Sequence, residues 1–169
     1  AVRLQLQRVR DGGKRLLVTA NTFRGLEYYV ASVGHEIVAP DSADLVVNGM
    51  AITTTYKADL LAQYGLSVDK LAIREYKSAM DDFARDSMSE GQREQMTVLL
   101  NSIHEHFLGV TGGGRSKEPA EVRRWVDEGV TSATQAAEVG MIDRVAYEDE
   151  FLDKQHKPLA AAAPFLTRQ

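Results

Sequence analysis

Apolar residues along the chain fall either in short continuous runs or at helical spacing, and the alternation of the two predicts the elements. Val2, Leu4, Leu6 and Val9 give an imperfect helical pattern that ends at Asp11-Gly12-Gly13, a C-terminal stop signal. Lys14–Ala20 holds Leu16-Leu17-Val18, a run too short for a helix, and predicts a buried strand. From Arg24 to Val33, Leu26, Tyr29, Val30 and Val33 share one face of a helix stopped by Gly34. His35–Ala39 and Asp44–Val47 are two further strands, separated by Pro40 and the turn-prone Asp41-Ser42. Tyr56–Tyr64 predicts a helix closed by Gly65, Leu66–Ile73 a strand, and Ser78–Arg85 a helix. Strands alternating with helices argue for an α/β crossover architecture.

The second half is helical in character. Ser89-Glu90-Gly91-Gln92 is a capping-box pattern, and Met96, Leu99, Leu100, Ile103, Phe107 and Val110 keep one face apolar for about four turns. Thr111-Gly112-Gly113-Gly114-Arg115 predicts a flexible break. It follows a helix and lacks Gly-Lys-Ser/Thr, so it does not resemble a phosphate loop. Glu118–Glu128 and Thr131–Val139 predict two short helices, and Gly140–Val145 a last short strand. Residues 156–169, with Ala160–Ala163 and Pro164, form a tail with little to bury, leaving 1–155 as one domain.

Composition narrows the chemistry. The 169 residues are 44% hydrophobic and 26% charged with net charge −4, a globular balance that gives no hint of nucleic acid. The chain has no cysteine, which excludes disulfides, thiolate metal sites and a cysteine nucleophile. No apolar run reaches the ~18–20 residues of a membrane span, and no signal-peptide pattern is visible. Ala1 enters directly into an amphipathic pattern, which predicts a fragment, a processed product or a trimmed chain. His104 and His106 are two apart on a helix and point to different faces, the wrong spacing for a shared metal. They read as solvated helix histidines, and the pair Asp81-Asp82 and the run Glu148-Asp149-Glu150 read as solvated faces or helix N-terminal charges. No Gly-x-Ser-x-Gly elbow occurs, and neither a cofactor nor a metal is predicted.

The one candidate for chemistry is Lys77, placed where a predicted strand gives way to a predicted helix. With a pKa near 10.4, using it as a neutral base at pH 7 costs roughly 4–5 kcal/mol unless its surroundings lower that value. Desolvation lowers it by about 3–5 units. Tyr76, Ala79, Met80 and Phe83 could form a dry wall, whereas Glu75, Asp81 and Asp82 would oppose the shift if they faced the amine. A surface lysine or an ion-pair partner is the ordinary alternative.

Four segments together carry a family resemblance: Gly25-Leu26-Glu27-Tyr28-Tyr29-Val30-Ala31-Ser32, Tyr76-Lys77-Ser78-Ala79-Met80-Asp81-Asp82-Phe83, Met88-Ser89-Glu90, and Gly129 through Gln135-Ala136 to Gly140-Met141-Ile142-Asp143. From about Lys14 to Val145 the chain resembles the signal peptide peptidase A family, also called protease IV. The resemblance implies an α/β crotonase/Clp-protease-like crossover (ββα) fold that lacks its first strands, with a long helix and a helical C-terminal part. It also implies a Ser–Lys dyad serine peptidase that degrades signal peptides or other membrane-associated peptides, with Lys77 as general base. A desolvated lysine can do the work of histidine in a triad.

This chain departs from the family pattern at the nucleophile. The family's serine sits three residues before a tyrosine pair, and here that position is Gly25. Thr22 is the nearest upstream hydroxyl, and Ser32 lies beyond the tyrosines as a packing or capping residue. The resemblance also implies that the glycine-rich turn supplying oxyanion donors is expected before Ala1, and Asn48-Gly49-Met50 stands where serine-bearing domains of the family resemble Gly-Ser-Ile-Gly. Double-length members resemble two such domains in tandem, the first giving lysine and the second serine. The resemblance therefore implies a lysine-bearing first half, inactive alone, that needs a second serine-bearing domain or a homo-oligomer partner. The longer protein is expected at the cell membrane and this chain in solution. A non-catalytic scaffold domain, with Lys77 paired to Asp81 or Glu75, is the alternative.

Overall fold

The computed structural model describes residues 2–68 and 81–153. In chain order the elements are α1 (Val2–Asp11), β1 (Leu17–Thr19), β2 (Thr22–Arg24), α2 (Gly25–Ala31), β3 (Glu36–Ala39) and β4 (Asp44–Val46). They continue with α3 (Ala58–Gln63), α4 (Asp81–Ala84), α5 (Glu90–Arg115), α6 (Pro119–Glu128), α7 (Ala133–Glu138) and β5 (Arg144–Val145). Two compact units result, one of Ala1–Gly49 with Phe107–Gln169 and one of Met50–His106.

The first unit carries two small parallel sheets. One has the order β1-β3-β5 and pairs Leu17 with Glu36 and Val38 with Arg144; the other pairs β2 with β4, Thr22 opposite Asp44. Parallel strands need crossovers, and α2 is the crossover between β1 and β3. The core sits against these strands. Ile37, Ala39 and Leu45 are fully buried, packed with Phe23, Tyr28, Leu108, Val122, Ala133, Ala136 and Met141, and Val38 is fully buried as well. The sequence pattern hid β2, because only Phe23 of its three residues is buried. The helix predicted from Arg24 begins one residue later and ends at Ala31.

α1 forms where the pattern predicts it, yet none of its residues is buried. Charged side chains anchor it instead. The Arg3 guanidinium lies 5.2 Å from the Tyr29 ring centroid and donates to the Val110 carbonyl at 3.0 Å, and Arg10 donates to the Val33 carbonyl at 2.9 Å.

The predicted break at Thr111–Arg115 is absent: these residues are the last turn and more of α5, which runs for 26 residues. The glycines serve close approach rather than flexibility. A Cβ on Gly114 would stand 2.2 Å from the Ser32 carbonyl oxygen, and one on Gly112 would stand 2.6 Å from that of Lys117. Their propensity cost of roughly 1 kcal/mol each is set against packing that no other residue allows. The helix then ends through Ser116, whose φ of 55° is left-handed.

α6 and α7 follow their local signals closely. Glu118 and Glu121 close a capping box around the start of α6, Pro119 opens it, and Gly129 (φ 65°) ends it. Ser132 accepts the Gln135 amide at 3.2 Å to cap α7. Residues 148–153 are helical, with Glu148, Asp149 and Glu150 exposed as expected.

In the second unit, Ser89 accepts the Gln92 amide at 3.2 Å, which is half of the predicted capping box. The Gln92 side-chain Oε1 accepts the Tyr56 hydroxyl at 2.8 Å. The Lys57 amide donates to the Asp82 carbonyl at 2.7 Å, tying the start of α3 to α4. Asp81 opens α4 as a helix N-terminal charge, one of the two expected readings, but at 3% exposure it is buried and not part of a solvated face. The strand predicted at Leu66–Ile73 lies outside the described residues from position 69, and 66–68 are irregular.

Candidate active site

The turn from β2 into α2 is the place where a strand end meets a helix start in the first unit. Arg24 is still extended (φ −93°, ψ 174°), and Gly25 is the first residue of α2. In α/β proteins the carboxyl ends of parallel strands are where sites are built. Among the described residues a Cβ on Gly25 would meet nothing within 4 Å, so there the position has room for a side chain that the sequence does not supply.

Tyr28, one turn into α2, holds the helix in place. It is fully buried, and its ring meets Phe23 edge-on at 6.3 Å and Trp125 at 6.5 Å. Its hydroxyl donates to the Met141 carbonyl. Burial pushes the Tyr28 phenol well above its ordinary range, while the Arg115 guanidinium pulls the other way. Arg115 is itself nearly buried and pairs with Asp143 at 2.7 Å. The second Asp143 oxygen accepts the Ile37 amide at 2.7 Å. One carboxylate thus connects the end of α5 to the first residues of β3, and one phenol connects α2 to the turn at Met141.

Beside Gly25 opens a cleft of ≈ 480 Å³, lined mainly by apolar side chains, among them Leu6, Val18, Leu26 and Val30, with Thr22 and Glu27. Such a surface accepts apolar side chains. Thr22 is exposed on β2, and no hydrogen bond reaches its hydroxyl among the described residues. Among the described residues, then, no basic group stands at hydrogen-bond distance to activate it. Ser32 is fully buried at the end of α2, donates to the Tyr29 carbonyl at 2.9 Å and accepts from Arg3, which is a capping and packing role. Asn48-Gly49-Met50 is exposed and follows β4.

Lys77 lies outside the described residues, with Glu75, Tyr76, Ala79 and Met80. His35 Nδ1 accepts the Leu16 amide at 3.0 Å, joining the start of β1 to that of β3. Among the described residues, no group of three His, Asp or Glu side chains gathers as a metal site. Nor is any helix there long and apolar enough to cross a membrane. Residue reasoning missed the Arg115–Asp143 pair, because Arg115 was assigned to a flexible break. The available signal was a basic residue at the end of a long apolar-faced helix.

The family model Peptidase family S49 covers residues 8–162, and the chain belongs to that family, with its crotonase/Clp-protease-like fold. It is similar to the Serine protease SPPA, chloroplastic, of Arabidopsis thaliana, 29% identical over 126 residues that make up 75% of this chain and 19% of that protein. It is also similar to Protease 4 of Salmonella typhi, 26% identical over 117 residues, 69% of this chain and 19% of the relative. Protease 4 of Haemophilus influenzae is 23% identical over 99 residues, 59% of this chain and 16% of the relative. The chain spans about a fifth of the length of each of these relatives.

Proposed function

We propose that this chain is the lysine-bearing portion of a Ser–Lys serine peptidase, with Lys77 as general base and the nucleophilic serine supplied from outside the chain. The carrying observation is membership of Peptidase family S49 across residues 8–162 combined with Gly25 at the strand-to-helix turn, where the family pattern has serine. In the reaction, neutral Lys77 takes the serine hydroxyl proton as the oxygen attacks a peptide carbonyl. It then returns that proton to the leaving amine, and water repeats the cycle on the acyl-enzyme. The substrates are signal peptides or other membrane-associated peptides, whose apolar side chains suit the apolar cleft beside Gly25. The serine comes from a second domain or from another copy in a homo-oligomer, and the longer protein works attached to the cell membrane. Among the described residues β1 lies at the edge of its sheet, where a partner segment can pair.

Two measurements test this. A fluorophosphonate probe is expected to leave this chain unlabelled, and stoichiometric labelling would overturn the assignment of Gly25. In the longer protein, Lys77→Met is expected to slow peptide cleavage by about 10²–10⁴-fold with the fold intact, the range for loss of a general base. Unchanged cleavage would end the proposal.

One observation favours a second reading, in which the domain is a scaffold and Lys77 pairs with Asp81. Asp81 is buried, and a buried carboxylate requires compensation from a cation or from hydrogen-bond donors. Under this reading Lys77→Met and Asp81→Asn destabilise the chain together, with a strong coupling in a double-mutant cycle and no separate effect on cleavage.

A further inference from the structure

We infer that Asn48 is a site of self-catalysed deamidation, a slow covalent change written into the chain at the exit of β4. The chain has three asparagines, Asn21, Asn48 and Asn101, and only Asn48 precedes a glycine. Ring closure needs the following backbone nitrogen to reach the side-chain carbon, and a glycine there offers no Cβ to obstruct it and the widest choice of φ and ψ. Asn48 and Gly49 are both exposed and lie outside helix and strand. Among the described residues a Cβ on Gly49 would have a single near neighbour, Val126 Cγ1 at 3.9 Å, so these surroundings leave the peptide free to turn.

The same molecule contains its own controls. Asn101 sits inside α5, where helical backbone angles keep its side chain away from the next amide. The Asn21 carbonyl accepts the Asp44 amide at 2.9 Å, and its neighbour Thr22 is locked in the β2–β4 pairing. Asp11-Gly12 is the chain's one Asp-Gly pair. There the Gly12 amide is engaged with the Arg8 carbonyl at 2.9 Å, and the Asp11 carboxylate accepts from Gln7 at 3.0 Å.

The chemistry balances with water alone. The Gly49 nitrogen attacks Cγ of Asn48, the Cγ–Nδ2 bond breaks, and Nδ2 leaves as ammonia with the proton from the Gly49 amide. Water then opens the succinimide. Cleavage of the Cγ–N bond gives aspartate, and cleavage at the backbone carbonyl gives isoaspartate with one extra carbon in the main chain. Either product makes the net charge one unit more negative. The change falls between Val47, a 3%-exposed core residue, and Met50, the first residue of the second compact unit.

The test is incubation of the folded chain in ¹⁸O-water at mildly alkaline pH, with peptide mass mapping and an isoaspartate-specific methyltransferase assay. Asn48 is expected to gain the label and the isoaspartate signal several-fold faster than Asn21, Asn101 or Asp11, and to speed up as pH rises. Gly49→Ala, which meets only ordinary contact, is expected to slow it several-fold while leaving the melting temperature unchanged. Equal rates at Asn48 and Asn101, or no slowing by Gly49→Ala in a variant that keeps its melting temperature, would overturn the inference. A rate at Asn48 far below that of the same sequence in an unfolded peptide would also overturn it, because the fold would then be shielding the site.

Discussion

The two ends of α5 carry similar apolar patterns and meet different fates. Towards its start, Val98, Leu99 and Ile103 are 64%, 46% and 43% exposed, and no residue from 93 to 106 is buried. Towards its end, Phe107, Leu108 and Thr111 are buried, and Gly112 and Gly114 let other backbone come within reach. Periodicity therefore predicted the helix and not its burial. A helical stripe states which side chains would be buried together if a partner surface arrives, and it does not supply the surface.

Substitutions along this helix sharpen the contrast. Leu108→Ala is expected to lower stability by about 2–5 kcal/mol, the cost of a cavity in a filled core, in urea unfolding. Leu99→Ala should change it by less than about 1 kcal/mol, and equal losses would erase the distinction between the two ends. The glycines give a similar pair. Gly114→Ala drives a methyl into the Ser32 carbonyl and should cost about 1–3 kcal/mol or more. Gly113→Ala meets nothing within 4 Å and should stabilise the helix by up to about 1 kcal/mol.

Tyr28 extends the comparison to pH. Its folded pKa is raised above the unfolded value near 10, so its contribution is fully present below about pH 10. That stability is lost as pH rises beyond the unfolded value, because only the unfolded chain then gains by releasing the proton. Tyr28→Phe should cost about 0.5–1.5 kcal/mol at neutral pH through the lost bond to Met141. It should also flatten the decline of stability above pH 10, measured as denaturation midpoint against pH. The smallest effect is expected at Ser116: Ser116→Gly relieves a left-handed backbone angle and should raise stability by up to about 1 kcal/mol in thermal melts. A loss there would mean that the serine side chain helps to end α5.

Legibility followed how local each signal is. α6 was plain in Glu118, Pro119 and Gly129, each of which acts within a turn of its own position. β2 was not, since three residues with one buried side chain have no period to read, and pairing with β4 creates the strand. The glycine run was misassigned because a breaker in a free helix is also the residue that permits close packing in a folded one. Motif spacing marked Gly25 in the first unit and Lys77, which lies outside the described residues, whereas the burial of Asp81 in the second unit and the Arg115–Asp143 pair in the first are set by the folded chain. The latter spans from the end of α5 to the turn before β5.

By itself the sequence determined the alternation of strands and helices, the caps of α6 and α7, the absence of thiol chemistry, and a glycine where the family pattern has serine. Those features depend on residue identity and on neighbours within a few positions. Only the tertiary structure decided that the apolar face of α1 stays open while its arginines are engaged, that Asp81 is buried, and that three glycines continue a helix. These outcomes depend on which surfaces meet, and free energies of burial and close contact outweigh local preferences of about 1 kcal/mol per residue.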